Sequence, residues 1–256
     1  MARIFVTGSS DGLGLMAAER LVAEGHRVTL HARNGKRAAD AQARLPAAES
    51  VVVGDVATLA AMRDVAAQAN ATGVFDAVIH NVAVGYREPR RVVTEDGLEQ
   101  LFAINVVAPY VLTALMTRPA RLVYLSSGMH RGGETNVRDP EWKTRSWNGS
   151  QAYANSKFYD VVLAFAVARR WPKLLVNATE PGWVPTKMGG RGAPDDLALG
   201  AVTQAWLAVS DAAAATVTGQ YFFHQRLHDV HPKTRDHALQ DALVAYLAEV
   251  SGVALP

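Results

Sequence analysis

The sequence predicts an α/β fold: a doubly wound parallel sheet of about seven strands, flanked by helices. Three observations carry that expectation. Short apolar, β-branched runs alternate with helix-like segments along the whole chain. The runs are continuously apolar, as strands are when helices cover both faces, rather than alternately apolar and polar. No Pro/Gly/Ser linker, shift of composition or internal repeat divides the chain, so residues 1–256 read as a single domain.

The elements follow in order. RIFVT, 3–7, is the first strand and ends at Gly8. The segment GLGLMAAERLVAEG, 12–25, is a helix, with Leu15, Ala18, Leu21 and Val22 recurring at three and four and Gly25 as the stop. HRVTLHA, 26–32, is the second strand; an Ala-rich helix spans 36–45 before Pro46; SVVVGD, 50–55, is the third strand. Thr58 caps a helix over 58–70. VFDAVIHN, 74–81, is the fourth strand, and beyond Pro89 a long helix runs over 97–116. RLVYLSS, 121–127, is the fifth strand, a helix covers 150–170, and KLLVNAT, 173–179, is the sixth strand. GQYFFH, 219–224, is the seventh, and an amphipathic helix over 236–249 closes the chain.

Composition narrows the function classes. With 49% hydrophobic and 20% charged residues the balance is that of a globular protein. The net charge of +2 comes with no basic run, so nucleic acid is not implied. The absence of cysteine excludes disulfides, thiolate nucleophiles and Cys-ligated zinc. The N-terminus lacks a signal-peptide pattern, and no stretch of about twenty apolar residues could span a membrane. A cytoplasmic protein is expected. His224, His228 and His231 cluster near the C-terminus, but no Glu completes a His-Glu-x-x-His motif, so they read as polar loop residues and no metal site is expected.

The first strand-to-helix turn is TGSSDGLG, with Gly8, Gly12 and Gly14. Glycines there let the backbone approach a pyrophosphate at the positive end of a helix, as in a Rossmann-type fold, with Ser10, Asp11 and Leu13 completing the turn. The alternative is a purely structural turn. Asp55, followed by Val56, suits an acceptor for an adenine amino group, or equally a turn aspartate. At the end of the second strand stand Ala32 and Arg33 where an acidic residue would select NAD, which favours NADP(H) over NAD(H). The charge of Asp11 counts against that choice. Arg37 reads as a solvated helix-face residue, with a second phosphate contact as the alternative.

In GSQAYANSKF, 149–158, Tyr153 and Lys157 lie one helical turn apart. A phenol titrates at about 10, and an adjacent ammonium favours its ionised form, giving a general acid–base pair. An exposed amphipathic pair is the bland reading.

With TGSSDGLG early and Tyr153–Lys157 downstream, the whole chain resembles the short-chain dehydrogenase/reductase family. HNVA, 80–83, stands where the family has Asn-Asn-Ala-Gly, keeping Asn81, with Ala83 two residues on. Asn105 sits where relatives carry an asparagine that kinks a helix and holds a relay water. LSSG places Ser127 at the carbonyl-binding serine. EPGWVPT matches the Pro-Gly loop, so Pro181, Gly182, Val184 and Thr186 are implied to hold the nicotinamide. Between Ser127 and Tyr153 lies an insertion over 128–150, and LSSGMHRGG within it looks most like the retinol dehydrogenase and carbonyl reductase branch.

The resemblance implies hydride transfer between NADPH and a carbonyl or alcohol of a small, apolar substrate. Tyr153 gives the proton, Lys157 acidifies it and binds ribose, Ser127 holds the substrate oxygen and Asn105 positions a water. Val84, Tyr86, Met129, Trp142, Trp147 and a lid-like loop over 183–195 are candidate substrate contacts. The insertion falls where the family's tetramer packs, which favours a monomer or homodimer. Two other readings stay open: a non-catalytic NADP-binding sensor and a sugar-nucleotide epimerase of the extended relatives. The short C-terminal part and the glycine spacing argue against the latter.

Overall fold

The computed structural model describes residues 1–256. Its strands are β1 Arg3–Val6, β2 Arg27–Ala32, β3 Ser50–Val53, β4 Ala77–His80, β5 Arg121–Leu125, β6 Leu175–Glu180, β7 Gln220–Phe223 and β8 Arg226–Leu227. They form one sheet in the order β3-β2-β1-β4-β5-β6-β7-β8, parallel except for the antiparallel β7–β8 pair. β8 is the strand not foreseen. His224 and Gln225 both take positive φ, 46° and 62°, which closes a two-residue hairpin. A two-residue strand leaves no periodicity to read.

The helices are α1 Gly12–Ala23, α2 Gly35–Arg44, α3 Leu59–Ala71, α4 Gln100–Phe102, α5 Ala108–Leu115, α6 Gly149–Arg170, α7 Val202–Val209 and α8 His237–Ser251. α1, α2 and α7 pack a core built on Leu15, Leu21, Leu30 and Phe222 against one face of the sheet; α3, α5, α6 and α8 pack a larger core on the other. α7 was missed because VTQAWLAV is apolar nearly all round, and it lies buried between α1 and the central strands. Asp11, Asn34, Thr58, Asn148 and Asp236 each cap a helix N-terminus through a side-chain oxygen.

The expected single helix over 97–116 is three pieces. α4 passes into a π-turn, Ala103–Val107, before α5 begins. Pro109 has no N–H to give the Asn105 carbonyl four residues earlier, so a regular α-helix cannot run through. In α6 every residue from Ala152 to Ala168 is buried. α8, a 3-10 turn at Gly128–Gly132 and another at Pro232–Arg235 cover it alongside the sheet.

Candidate functional site

The sheet order reverses between β1 and β4, and the crevice at such a switch point is where open α/β sheets bind ligands. The glycine turn lines it. A Cβ on Gly14 would fall 2.4 Å from Asn81 Nδ2 and 2.6 Å from the Gly8 carbonyl, so only glycine lets α1 start there. Gly8, at φ 63°, faces Val82 with equally little room, 2.8 Å from an added Cβ to its Cα. Asn81 Nδ2 donates to the Thr7 carbonyl at 2.9 Å and the Gly8 carbonyl at 3.2 Å, binding β4 to the turn.

Sequence reasoning missed His31. Its Nδ1 accepts the Gly8 amide at 2.9 Å, so Nε2 carries the proton and donates to the Gly54 carbonyl, also at 2.9 Å. Burial pushes its pKa below the usual imidazole value, against the opposing pull of the Gly54 carbonyl and Asp55. The only sequence signal was a histidine in an otherwise apolar strand.

The charges at the turn differ from expectation. Arg33 is exposed just beyond β2, as a phosphate contact requires. Arg37 is not a solvated helix-face residue: its guanidinium lies 3.3 Å from Ser10 Oγ and 3.3 Å from Asp11 Oδ2. Lys187, unforeseen, reaches from the 183–195 loop to the Asp11 carboxylate. Lys187, the Gly12 amide and Arg37 hold Asp11 at a pKa of about 2. Two cations therefore offset the one anion that counted against a phosphate. Asp55 is exposed and accepts the Ala57 amide at 3.1 Å, a turn geometry, while Val56 is buried in the core.

Tyr153 and Lys157 face the same crevice from α6 and are nearly fully buried, so they are no surface pair. The Lys157 ammonium lies 5.9 Å from the Tyr153 ring centroid. It donates to the Leu125 carbonyl at 2.9 Å and to Asp160 Oδ2 at 2.8 Å. Burial disfavours the ammonium, but Asp160 and Tyr153 together outweigh it and the Lys157 pKa rises. The expected acidification of Tyr153 does not appear. Burial raises its pKa; Lys157 and the Ser127 hydroxyl pull it down; Asp160 and Tyr86 push it up, and the net direction is upward. The Lys157 charge is shared with a carboxylate that the sequence reading overlooked.

Asn105, in the π-turn, accepts the Val84 amide at 2.8 Å and donates to the Val84 carbonyl and to Ser156 Oγ. Its side chain thus ties the segment after β4 to α6. Ser127 follows β5 and caps the turn at Gly128 through the Met129 amide.

Two cavities meet at Tyr153. One, of about 400 Å³, is lined by the glycine turn, Asn81, Ala83, Lys157 and Lys187. The other, of about 540 Å³, is lined by Ser127, Gly182, Val184, Trp183 and Met129. Leu13, Ser126, Pro181, Thr186 and Met188 border both. Ser10, Arg33, Asp55, Val56 and Asn105 border neither. Of the expected substrate contacts Tyr86, Met129 and the 183–195 loop line the larger cavity, but Trp142 and Trp147 do not. They pack edge to face within the insertion, Arg145 over Trp142 and the Trp147 Nε1 on the Glu88 carbonyl. One corner of this cavity is polar: Arg131 donates to Glu180 at 2.8 Å, and His228 stands 3.8 Å from the same carboxylate oxygen. No three His, Cys, Asp or Glu side chains converge as metal ligands.

A glycine turn at the sheet's switch point, with a Tyr–Lys pair beside it, defines a dinucleotide-binding oxidoreductase. The family model for short chain dehydrogenase matches residues 2–196. An uncharacterized oxidoreductase of Emericella nidulans is 42% identical over 260 residues, covering 100% of this chain and 99% of its own. Retinol dehydrogenase 13 of Homo sapiens is 28% identical over 99% of this chain and 85% of its own. A crystal structure of a protein from Mycobacterium paratuberculosis superposes with a TM-score of 0.83 at 24% identity, covering 100% of this chain and 95% of that one. The chain belongs to the short-chain dehydrogenase/reductase family, in its retinol dehydrogenase-like branch, whose members bind a nicotinamide cofactor.

Proposed function

We propose that the protein is an NADPH-dependent carbonyl reductase acting on a small, largely apolar ketone or aldehyde. The observation that carries this reading is the position of Tyr153, where the two cavities join. The glycine cradle, filled by any added Cβ at Gly8 or Gly14, fits a dinucleotide's phosphates. Arg33, Arg37 and Lys187 supply the positive charge that a 2′-phosphate needs. When bound, the nicotinamide supplies the hydride.

The chain's own residues then act on the proton and the oxygen. Ser127 donates to the substrate carbonyl and fixes its direction. Tyr153, a protonated phenol at neutral pH, gives its proton to the oxygen as charge develops there. Lys157 steadies the phenolate left behind. Trp183, Met188 and the rest of the 183–195 loop close over the larger cavity and exclude water. The Tyr153 hydroxyl donates to Met188 Sδ at 3.8 Å, a contact that the substrate oxygen would replace. Apolar side chains hold the substrate's body, and the Glu180–Arg131 corner accommodates one polar substituent. No helix is long and apolar enough to cross a membrane, and a monomer acting in the cytoplasm is the setting we infer.

The test is NADPH oxidation with a panel of ketones and aldehydes, run for the native chain and Tyr153→Phe. The native chain turns over at least one carbonyl. The variant binds NADPH but loses about 10²- to 10⁴-fold in rate, the typical worth of a positioned acid. Near-native turnover by the variant, or no NADPH consumption by the native chain across the panel, would overturn the reading.

A further inference from the structure

We propose that Asp160 is a positioning residue of this site: its carboxylate anchors the Lys157 ammonium and offsets the field that ammonium casts on Tyr153. The inference rests on Tyr153 being the proton donor. Asp160 lies three residues after Lys157 on α6, and the two side chains are 4% and 3% exposed. The 2.8 Å contact to Oδ2 and the 2.9 Å contact to the Leu125 carbonyl take two of the three ammonium protons, leaving one for the cavity. The lysine therefore has one orientation, fixed from below by its own helix and from the side by β5.

An uncompensated ammonium at this depth would pull a neighbouring phenol strongly toward ionisation. Paired with a carboxylate, it acts on Tyr153 as a dipole. The groups facing the pair are few. Tyr153 shares α6 with it, Tyr124 on β5 feels the Asp160 charge, and Ser127 and Tyr86 face the phenol itself. Burial raises the Asp160 pKa and the Lys157 ammonium pulls it back down, leaving it at about 6, so the carboxylate is ionised at neutral pH. The consequence is the pH range over which each direction runs. A phenol that stays protonated is ready to donate, as carbonyl reduction requires, and poor at accepting, as alcohol oxidation requires.

Asp160→Asn keeps the shape and removes the charge. The alkaline limb of kcat/KM for reduction, which reports loss of the Tyr153 proton, is expected to move down by about one pH unit or more. The acidic limb of kcat/KM for oxidation, which reports gain of the Tyr153 proton, should move down by a similar amount. Asp160→Glu restores the native limb. Dissociation constants for NADPH, measured by fluorescence, certify that each variant is folded. A limb that stays in place or moves up in Asp160→Asn overturns the proposal. If that variant does not fold, isotope-edited infrared spectra of the native chain decide: a carboxylate band for Asp160 between pH 7 and 9 supports the pairing, and a protonated acid there ends it. Retained turnover in Tyr153→Phe would instead signal failure of the underlying reading.

Discussion

The Gly8 amide is held by His31 Nδ1 at 2.9 Å, and the opposite edge of the same ring is held by Gly54. One imidazole thus joins the turns after β1 and β3. The bond to Gly54 persists in either form of the ring, but the Gly8 bond requires the neutral one, because a protonated Nδ1 cannot accept. Burial lowers the folded-state pKa below the unfolded value of about 6.5. The stability this bond contributes is complete above about 6.5 and is lost as pH falls from there through the folded pKa. Thermal unfolding midpoints followed from pH 8 to pH 5 should fall less steeply in His31→Asn than in the native chain. The native chain should be the more stable at pH 8, by about 1–3 kcal/mol for the groups otherwise left unpaired. Parallel curves for the two proteins would show that His31 is not the coupling.

Arg37 and Lys187 converge on the same oxygen of the Asp11 carboxylate, Oδ2. Each would lose part of its interaction with Asp11 to an incoming phosphate, so in the proposed function selectivity for NADPH would be a contest between two anions for the same cations. Arg37→Ala is expected to weaken NADPH about ten- to hundredfold, the worth of one charge-assisted hydrogen bond, and NADH much less. Asp11→Asn should shift the ratio the other way. Titration of both dinucleotides by fluorescence measures the ratio; equal losses for NADPH and NADH in Arg37→Ala would remove Arg37 from the phosphate site.

These charges also show where the sequence stopped being legible. The order of strands and helices followed from apolar runs and glycine stops, because each element obeys a local rule. The Tyr153–Lys157 pair was visible because it lies within one helical turn. Asp160 lies within the same turn, yet nothing local marks which of two faces of an all-buried helix meets the lysine. Lys187 and Asp11 are separated by 176 residues, and only the folded loop brings them together. Beyond being a histidine within a strand, His31 carried no signal of its partners, because both ring nitrogens meet backbone groups, which every residue has. Trp142 and Trp147 were expected at the substrate because they stand in the loop inserted beside the site, whereas the insertion consumes them as its own small core with Leu101 and Tyr153.

Gly14 offers a sharper mutational test than the charges. An alanine methyl there would press into Asn81 Nδ2, the Gly8 carbonyl and Ser9 Cα at once, and two of the three are backbone. Relief requires α1 to back away from the turn. Gly14→Ala should cost about 1–3 kcal/mol of stability, as overpacking does, and abolish measurable dinucleotide binding in protein that remains folded by circular dichroism. A variant that binds NADPH at native affinity would mean that the turn is looser than its contacts indicate.

The buried surface of α6 bears on assembly. The family's tetramer, as the resemblance implied, packs helices beside the insertion; here the chain covers that ground with its own residues. Leu243, Val244 and Leu247 of α8 join the larger core, and Arg169 Nε donates to Gln240 Oε1 at 3.0 Å. Tyr246 reaches the insertion through Glu141 at 2.5 Å, and the Trp171 indole and Tyr110 hydroxyl bind the backbone of Pro256 and Val253. With no apolar stripe left on α6, a second copy has nothing to dock against there. Light scattering across a concentration series should therefore give a mass near 27.5 kDa. Leu247→Ala should lower stability by about 2–5 kcal/mol, as large-to-small core changes do, and raise dye binding to exposed apolar surface. A stable mass of twice or four times the chain would mean that subunits meet through another face, and that self-coverage of α6 does not set the assembly.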